Sequence, residues 1–251
     1  MKLLIDIGNT RIKWATRVDG AFAVTGELVH RGQDPSGVLE FLGQFDTKPD
    51  SVRAANVAGD TMRKAIADAV HARWKLAIEF AQTQASAGPV RNGYHDYRQM
   101  GVDRWLAILA AFERYHQPVC VVDVGTAVTI DQVDGAGVHL GGLIVPGLDL
   151  MRRALVSDTG DIESWVGARS EGGEIEDLIF GRSTAEAIDG GGLTAICGLI
   201  ERCKERLSSQ YGDSVLVLTG GDAGRIMPKI STQLDHRPLL VLEGLVIYSP
   251  G

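Results

Sequence analysis

The chain has 251 residues, 45% of them hydrophobic, enough to bury a sizeable core in one large domain or two small ones. Thirty-two acidic residues against 25 basic ones leave a net charge of −7, which argues against general attraction to nucleic acid or an anionic membrane. Three cysteines without CxxC spacing, and apolar runs cut short by Asp6, Asp123 and Glu243, exclude a disulfide scaffold and a membrane span of about 20 apolar residues; a soluble cytoplasmic protein is expected.

From Met1 to about Val29 the pattern predicts a strand, a hairpin and further strand: "KLLIDIG", then the alternating "IKWATRV", then a turn at "VDGA". A helix follows in "TMRKAIADAVHARWKLA", where Met62, Ala65, Ile66, Ala69, Val70 and Trp74 recur at three and four, with Asp60 or Thr61 as its expected cap. "NGYHDYRQMGVDRWLAILAAF" closes a polar loop and opens a second helix, with Val102, Trp105, Leu106, Leu109 and Phe112 on its buried side.

At Pro118 the scheme restarts. "PVCVVDVG" is followed by two short strands that turn at "DGAG". A polar, glycine-rich stretch from about Ser157 to Gly173 reads as a loop, and Leu193, Ile196, Leu199, Ile200, Cys203 and Leu207 mark another amphipathic helix. "VLVLTGGDAG" then gives a strand ending in glycines. The repeated order of strand hairpins and helices predicts an α/β protein of two lobes, 1–117 and 118–251, with mixed sheets flanked by helices and a cleft between them.

The phrase Asp-x-Gly after an apolar strand occurs in both lobes, at Asp6–Gly8 and Asp123–Gly125. Glycine there lets backbone approach a phosphate closely, because no Cβ stands in the way. Asn9, Thr10, Thr126 and Thr129 supply hydrogen-bonding groups beside it, and Asp6 and Asp123 supply carboxylates for a hydrated cation. A single such turn commonly just closes a hairpin; two at equivalent places point to a polyphosphate held by both lobes. Gly220 and Gly221 form a third glycine turn, suited to lining an adenosine pocket. No GxxxxGK[ST], strand-linked GxGxxG, GxSxG or HExxH occurs.

Asp103 and Arg104 fall in the first turn of their helix. The positive helix end and the neighbouring cation favour the Asp103 carboxylate anion, which can accept a proton, as phosphoryl transfer to an alcohol requires.

In this order, "DIGNTRIK", a tyrosine followed by "GVDR", "DVGTAVT", "GGLIVPG", "ST" before a helix, and "LTGGD" resemble the type III pantothenate kinases across nearly the whole chain. The resemblance implies two ribonuclease-H-like lobes of the acetate kinase, sugar kinase, Hsp70 and actin superfamily. It also implies ATP-dependent phosphorylation of pantothenate, the first step of coenzyme A synthesis. By position it assigns Asp6, Ile7, Gly8, Asn9, Thr10, Arg11, Ile12 and Lys13 to the first phosphate loop and Thr126 to the second. Gly220 and Gly221 match the adenosine motif, and Asp103 the general base. Tyr94, Gly101, Val102, Asp103, Arg104 and Thr184 match pantothenate-contacting positions. Asp123 matches a site for a monovalent cation, potassium or ammonium. A divalent metal, Mg²⁺, is implied beside Asp6, directly or through water, and a homodimer is implied as the assembly. One departure is Tyr97, where the family usually has proline, so the resemblance does not fix the exact loop path beside the substrate. Two other readings of the same turns are a kinase for another small alcohol or sugar, and a nucleotide-binding regulatory module working through a protein partner.

Overall fold

A computed structural model of the chain describes residues 1–30, 36–158 and 180–249. Contacts divide it into two compact units. The first comprises Met1–His116 with 136–139 and the C-terminal residues from Leu239 onward; the second comprises Gln117–Gly135 and Leu140–Pro238. The duplication alone would leave 239–249 with the second lobe, but their contacts are with the first unit.

In the first unit, β1 (Lys2–Ile7), β2 (Arg11–Val18), β3 (Ala21–Val29), β4 (Ser51–Asn56) and β5 (Ile78–Phe80) form a sheet of order β3-β2-β1-β4-β5. β1 runs antiparallel to β2 and parallel to β4. The β2–β3 turn uses Asp19 and Gly20, both at positive φ (49° and 87°), the geometry that matches the twist of a two-residue hairpin. Alternation along β1 sends Leu3, Ile5 and Ile7 into a core with Ile12, Trp14 and the helices α1 (Ser36–Gly43) and α2 (Gly59–Trp74). Trp14, Phe41, Phe45 and Trp74 meet there edge to face or tilted, at centroid separations of 4.6–6.4 Å. The buried face of α2 is Met62, Ile66, Val70 and Trp74, as its spacing predicts. Its cap differs from expectation: the chain enters α2 through Gly59, at φ 87°, so Ala58 is the N-cap, without a side-chain bond, and Asp60 falls inside the first turn.

After a short hairpin, β6 (Ser86–Ala87) with β7 (Val90–Arg91), comes α3 (Val102–Tyr115), buried on nearly every side from Arg104 to Phe112. It packs on the C-terminal helix α7 (Leu240–Ile247), and the two helices cover the sheet face opposite the aromatic core, against β1 and β4. Gly244 permits the crossing, since a Cβ there would lie 2.2 Å from the Leu106 carbonyl oxygen. Arg53 on β4 anchors the end of α7 by donating to the carbonyls of Leu245 (2.8 Å) and Tyr248 (2.7 Å), while also pairing with Glu79. These bonds satisfy carbonyls that a helix C-terminus leaves over.

The second unit repeats the plan with β8 (Val119–Val124), β9 (Ala127–Val133), β10 (His139–Pro146), β11 (Val215–Thr219) and β12 (Asp235–His236), in the order β10-β9-β8-β11-β12. Cys120, Val122 and Val124 face a core built with the long helix α5 (Thr184–Tyr211) through Leu193, Ile196, Cys197, Ile200 and Leu207. Burial pushes the Cys120 thiol up to about 12 and the Cys197 thiol up to about 11, so at neutral pH both are protonated core atoms, unsuited to nucleophilic work. The stretch Ser157–Gly173 is only partly described: Ser157 and Asp158 form the end of a helix the spacing did not suggest, α4 (Leu148–Asp158), and residues 159–173 lie outside the described residues. α5 starts well before Leu193 and carries the run Asp189–Gly192 within it, with Asp189 held by Arg152 of α4 at 2.7 Å. α6 (Ala223–Ile226) is a single turn after β11.

Gly244→Ala should test the α3–α7 crossing, because backbone cannot yield as a flexible side chain can. The expected loss is at least about 2 kcal/mol, read as a fall in Tm of roughly 4–8 °C by calorimetry. An unchanged Tm would mean that the two helices do not approach so closely.

Candidate active site

In the first turn, Ile7 pairs with Ile12 and Asp6 with Lys13, and Gly8 N–H closes the hairpin on the Arg11 carbonyl at 3.0 Å. Asp6 and Lys13 therefore share the sheet face opposite the aromatic core, and both are half-buried. Ile7 and Ile12 point the other way and are fully buried, so only their backbone can serve a ligand. Arg11 is engaged by Glu27 at 2.8 Å, and Asn9 is exposed at the tip.

His30, which sequence reasoning passed over, fixes this turn. Its N–H donates to the Thr10 carbonyl at 2.8 Å, and its ring Nε2 lies 2.8 Å from the Gly8 carbonyl. A carbonyl can only accept, so Nε2 is the donor. The only sequence signal was a histidine at the end of a strand.

The second turn has the same construction with one residue fewer: Asp123 pairs with Thr129, Val124 with Val128, and Gly125 N–H donates to the Ala127 carbonyl at 3.0 Å. Asp123 is half-buried and Thr126 exposed. Two further glycines hold the turn. A Cβ on Gly147 would meet the Gly125 carbonyl oxygen at 2.2 Å, and one on Gly220 would meet Val124 backbone atoms from 2.3 Å. Gly147 N–H donates to the Thr126 carbonyl and Asp222 N–H to the Val124 carbonyl, both at 2.9 Å. The "GGLIVPG" and "LTGGD" segments thus converge on one phosphate-turn candidate, with Gly221 exposed beside it. Thr184 stands elsewhere in this unit, in the first turn of α5. Ser183 caps that helix by accepting from Glu186 N–H at 3.3 Å, while the Glu186 carboxylate accepts from Arg182 N–H at 2.7 Å.

The start of α3 brings Gly101, Val102, Asp103 and Arg104 together in the first unit. Asp103 Oδ1 accepts from Arg104 N–H at 2.8 Å and lies so close over Gly101 that a Cβ there would stand 2.5 Å from it. The carboxylate is folded over the glycine, at the helix end that favours an anion. Arg104 is only 7% exposed, which excludes a solvated surface arginine; its Nη1 donates to the Tyr94 phenol oxygen at 2.7 Å. Val102 is half-buried, and Trp105 is fully buried in the core.

Tyr97, in the place of the usual proline, is exposed and opens a 3-10 turn, Tyr97–Gln99. Asp96 shapes that turn: its carboxylate accepts from Arg98 N–H at 3.1 Å and from Arg98 Nε at 2.8 Å.

A family model described as type III pantothenate kinase matches residues 2–206. Type III pantothenate kinases of Nitrosococcus oceani and Ectopseudomonas mendocina are each 35% identical to the chain, covering 98% and 100% of it and 92% and 99% of their own lengths. That of Azoarcus sp. strain BH72 is 37% identical over 98% of the chain and 90% of its own length. Among solved structures, a candidate 2-dehydro-3-deoxygalactonokinase from Sinorhizobium meliloti superposes with a TM-score of 0.60 at 12% identity, over 98% of this chain and 95% of that one. A candidate N-acetylmannosamine kinase from Listeria monocytogenes gives 0.54 at 15% identity, over 98% and 97%. These structural likenesses show the fold alone, that of the actin-like ATPases and sugar kinases. With a family model spanning most of its length and relatives this similar from end to end, the chain belongs to the type III pantothenate kinase family.

Proposed function

We propose that this chain phosphorylates pantothenate with ATP, the first step of coenzyme A synthesis, and that Asp103 accepts the proton of the attacking hydroxyl. The observation that carries the role of Asp103 is its carboxylate, folded over Gly101 at the positive end of α3 with Arg104 N–H bonded to it. As the hydroxyl oxygen bonds to the γ-phosphorus, the bond to the bridging oxygen of ADP breaks, and the hydroxyl proton passes to the carboxylate.

Tyr94, Gly101, Val102, Arg104 and Thr184 are assigned to pantothenate. Asp6, Gly8, Asn9, Thr10, Arg11 and Lys13 are assigned to the ATP phosphates, with Ile7 and Ile12 contributing through backbone only. Thr126 joins them from the second turn, and Gly220 and Gly221 line the adenosine side. Among the described residues no three His, Cys, Asp or Glu side chains gather to cage a metal. The half-buried Asp6 carboxylate suits Mg²⁺, which keeps waters and takes one or two carboxylates beside phosphate oxygens. Asp123, with the Thr129 and Thr219 positions in register beside it, brings a carboxylate and two hydroxyl-bearing residues together, ligand types that suit potassium or ammonium. When bound, these cations offset charge on the phosphates. The working form is assigned as a cytoplasmic homodimer, as the family implies; no described helix is long and apolar enough to cross a membrane.

Purified protein with magnesium ATP should release ADP only when pantothenate is present, and faster with potassium than with sodium. Asp103→Asn should lower kcat by at least about 100-fold with ATP affinity nearly intact. Release that ignores pantothenate would remove the substrate assignment, and near-normal turnover of the variant would remove the base.

Gly101→Ala places a methyl group 2.5 Å from the Asp103 Oδ1, so the carboxylate must swing away. A displacement of about 1 Å costs on the order of 100-fold, expected in kcat with little change in the ATP KM. Wild-type kcat in this variant would mean that the observed carboxylate position is not the working one.

A further inference from the structure

His139 has no part in the assignments above, yet it is 1% exposed and opens β10 in the segment 136–139 that packs with the first unit. Its ring stacks on Tyr94, with centroids 5.9 Å apart and planes 20° from parallel. Arg104 meets the same tyrosine twice: its guanidinium carbon is 5.5 Å from the ring centroid and its Nη1 is 2.7 Å from the phenol oxygen. One phenol ring is thus engaged by an imidazole plane and by a buried guanidinium.

The backbone is arranged to bring the histidine there. Gly93 N–H donates to His139 Nδ1 at 3.4 Å, Arg91 N–H donates to the Gly137 carbonyl at 2.9 Å, and Arg91 and Val138 pair as a parallel bridge. Two glycines allow this approach. A Cβ on Gly93 would stand 1.9 Å from the His139 carbonyl oxygen, and one on Gly137, at φ 82°, would stand 2.6 Å from the Pro89 carbonyl oxygen. A buried histidine is most often a core residue with its hydrogen bonds satisfied. Here its flat face is applied to a side chain assigned to the substrate.

We propose that His139 is a positioning residue for pantothenate: it fixes the plane of Tyr94 and, through Tyr94, the guanidinium of Arg104. The inference rests on the reading of Tyr94 and Arg104 as pantothenate contacts. A flexible anionic substrate binds more tightly to a surface already ordered, because less ordering is charged to the binding step. The effect therefore falls on capture of pantothenate and leaves phosphoryl transfer and ATP binding alone.

Steady-state kinetics on His139→Ala, His139→Phe, His139→Gln, Tyr94→Ala and the double alanine variant test this. His139→Ala should raise the pantothenate KM by about tenfold, with kcat within about twofold and the ATP KM unchanged. His139→Phe, which keeps a flat ring, should restore most of the loss, and His139→Gln should not. The double variant should be no worse than Tyr94→Ala, since His139 acts through that ring. A wild-type pantothenate KM in His139→Ala, fully additive losses, or equal damage to both substrates would overturn the proposal. If Tyr94→Ala raises the pantothenate KM and His139→Ala does not, only the role of His139 falls. If Tyr94→Ala leaves that KM unchanged, the reading of Tyr94 falls and takes this inference with it. Should the alanine variant not fold, the order of Phe and Gln decides: Gln closer to wild type than Phe contradicts the role.

Discussion

Alternation along β1 and β8 imposes a strict choice on each strand: one face must complete an apolar core, and a carboxylate must stand on the other. In β1, Ile5 and Ile7 are fully buried with Ile12 and Trp14, while Asp6, between them in sequence, points to the opposite face beside Lys13. In β8, Val122 and Val124 fill the core and Asp123 stands across from Thr129. A slip of one residue would drive each aspartate into its core and each valine or isoleucine out of it, at a cost of several kcal/mol in each unit. The apolar packing that stabilises each sheet therefore also sets where its carboxylate goes.

The turns that follow are held by backbone at distances only glycine permits. Gly147 and Gly220 bring two other segments against the second turn, and the N–H groups of Gly147 and Asp222 complete it with hydrogen bonds to the Thr126 and Val124 carbonyls. In the first unit the restraint comes instead from His30, which engages the Gly8 and Thr10 carbonyls. Rigid turns suit phosphate binding, because hydrogen-bond donors that are already oriented need no reorganisation when charge arrives. α3 extends the same economy: its body, from Trp105 to Phe112, is buried, and its first turn presents Asp103 and Arg104. A buried guanidinium is costly unless it is bonded, and the Tyr94 phenol supplies a bond, so the polar start of an apolar helix is tied to the loop before it.

Much of this was legible in the sequence, and for local reasons. Alternating runs bounded by Asp-Gly predicted β1 to β3, three-and-four spacing predicted α2 and α3, and the repeated order of strand hairpins and helices predicted two lobes with mixed sheets. What was not legible depends on packing between distant segments. Residues 239–249 follow the second unit in sequence, yet Gly244 and Arg53 tie them to the first. Gly59 enters α2 at positive φ and shifts the cap off Asp60, and a glycine run near Asp189 lies within a helix because α4 packs against it. Arg104 looks like a surface residue until its burial is seen, and His30 and His139 carry no motif at all.

The central claim is that the duplicated carboxylates serve the nucleotide. Isothermal titration of a non-hydrolysable ATP analogue with magnesium and potassium into wild type, Asp6→Asn and Asp123→Asn tests it most directly, with circular dichroism confirming that each variant is folded. The account predicts weakening of about tenfold or more in both variants, since each loses a charge meant for a cation beside the phosphates. Wild-type affinity in both would contradict it and reduce the two turns to hairpins that happen to end in aspartate and glycine.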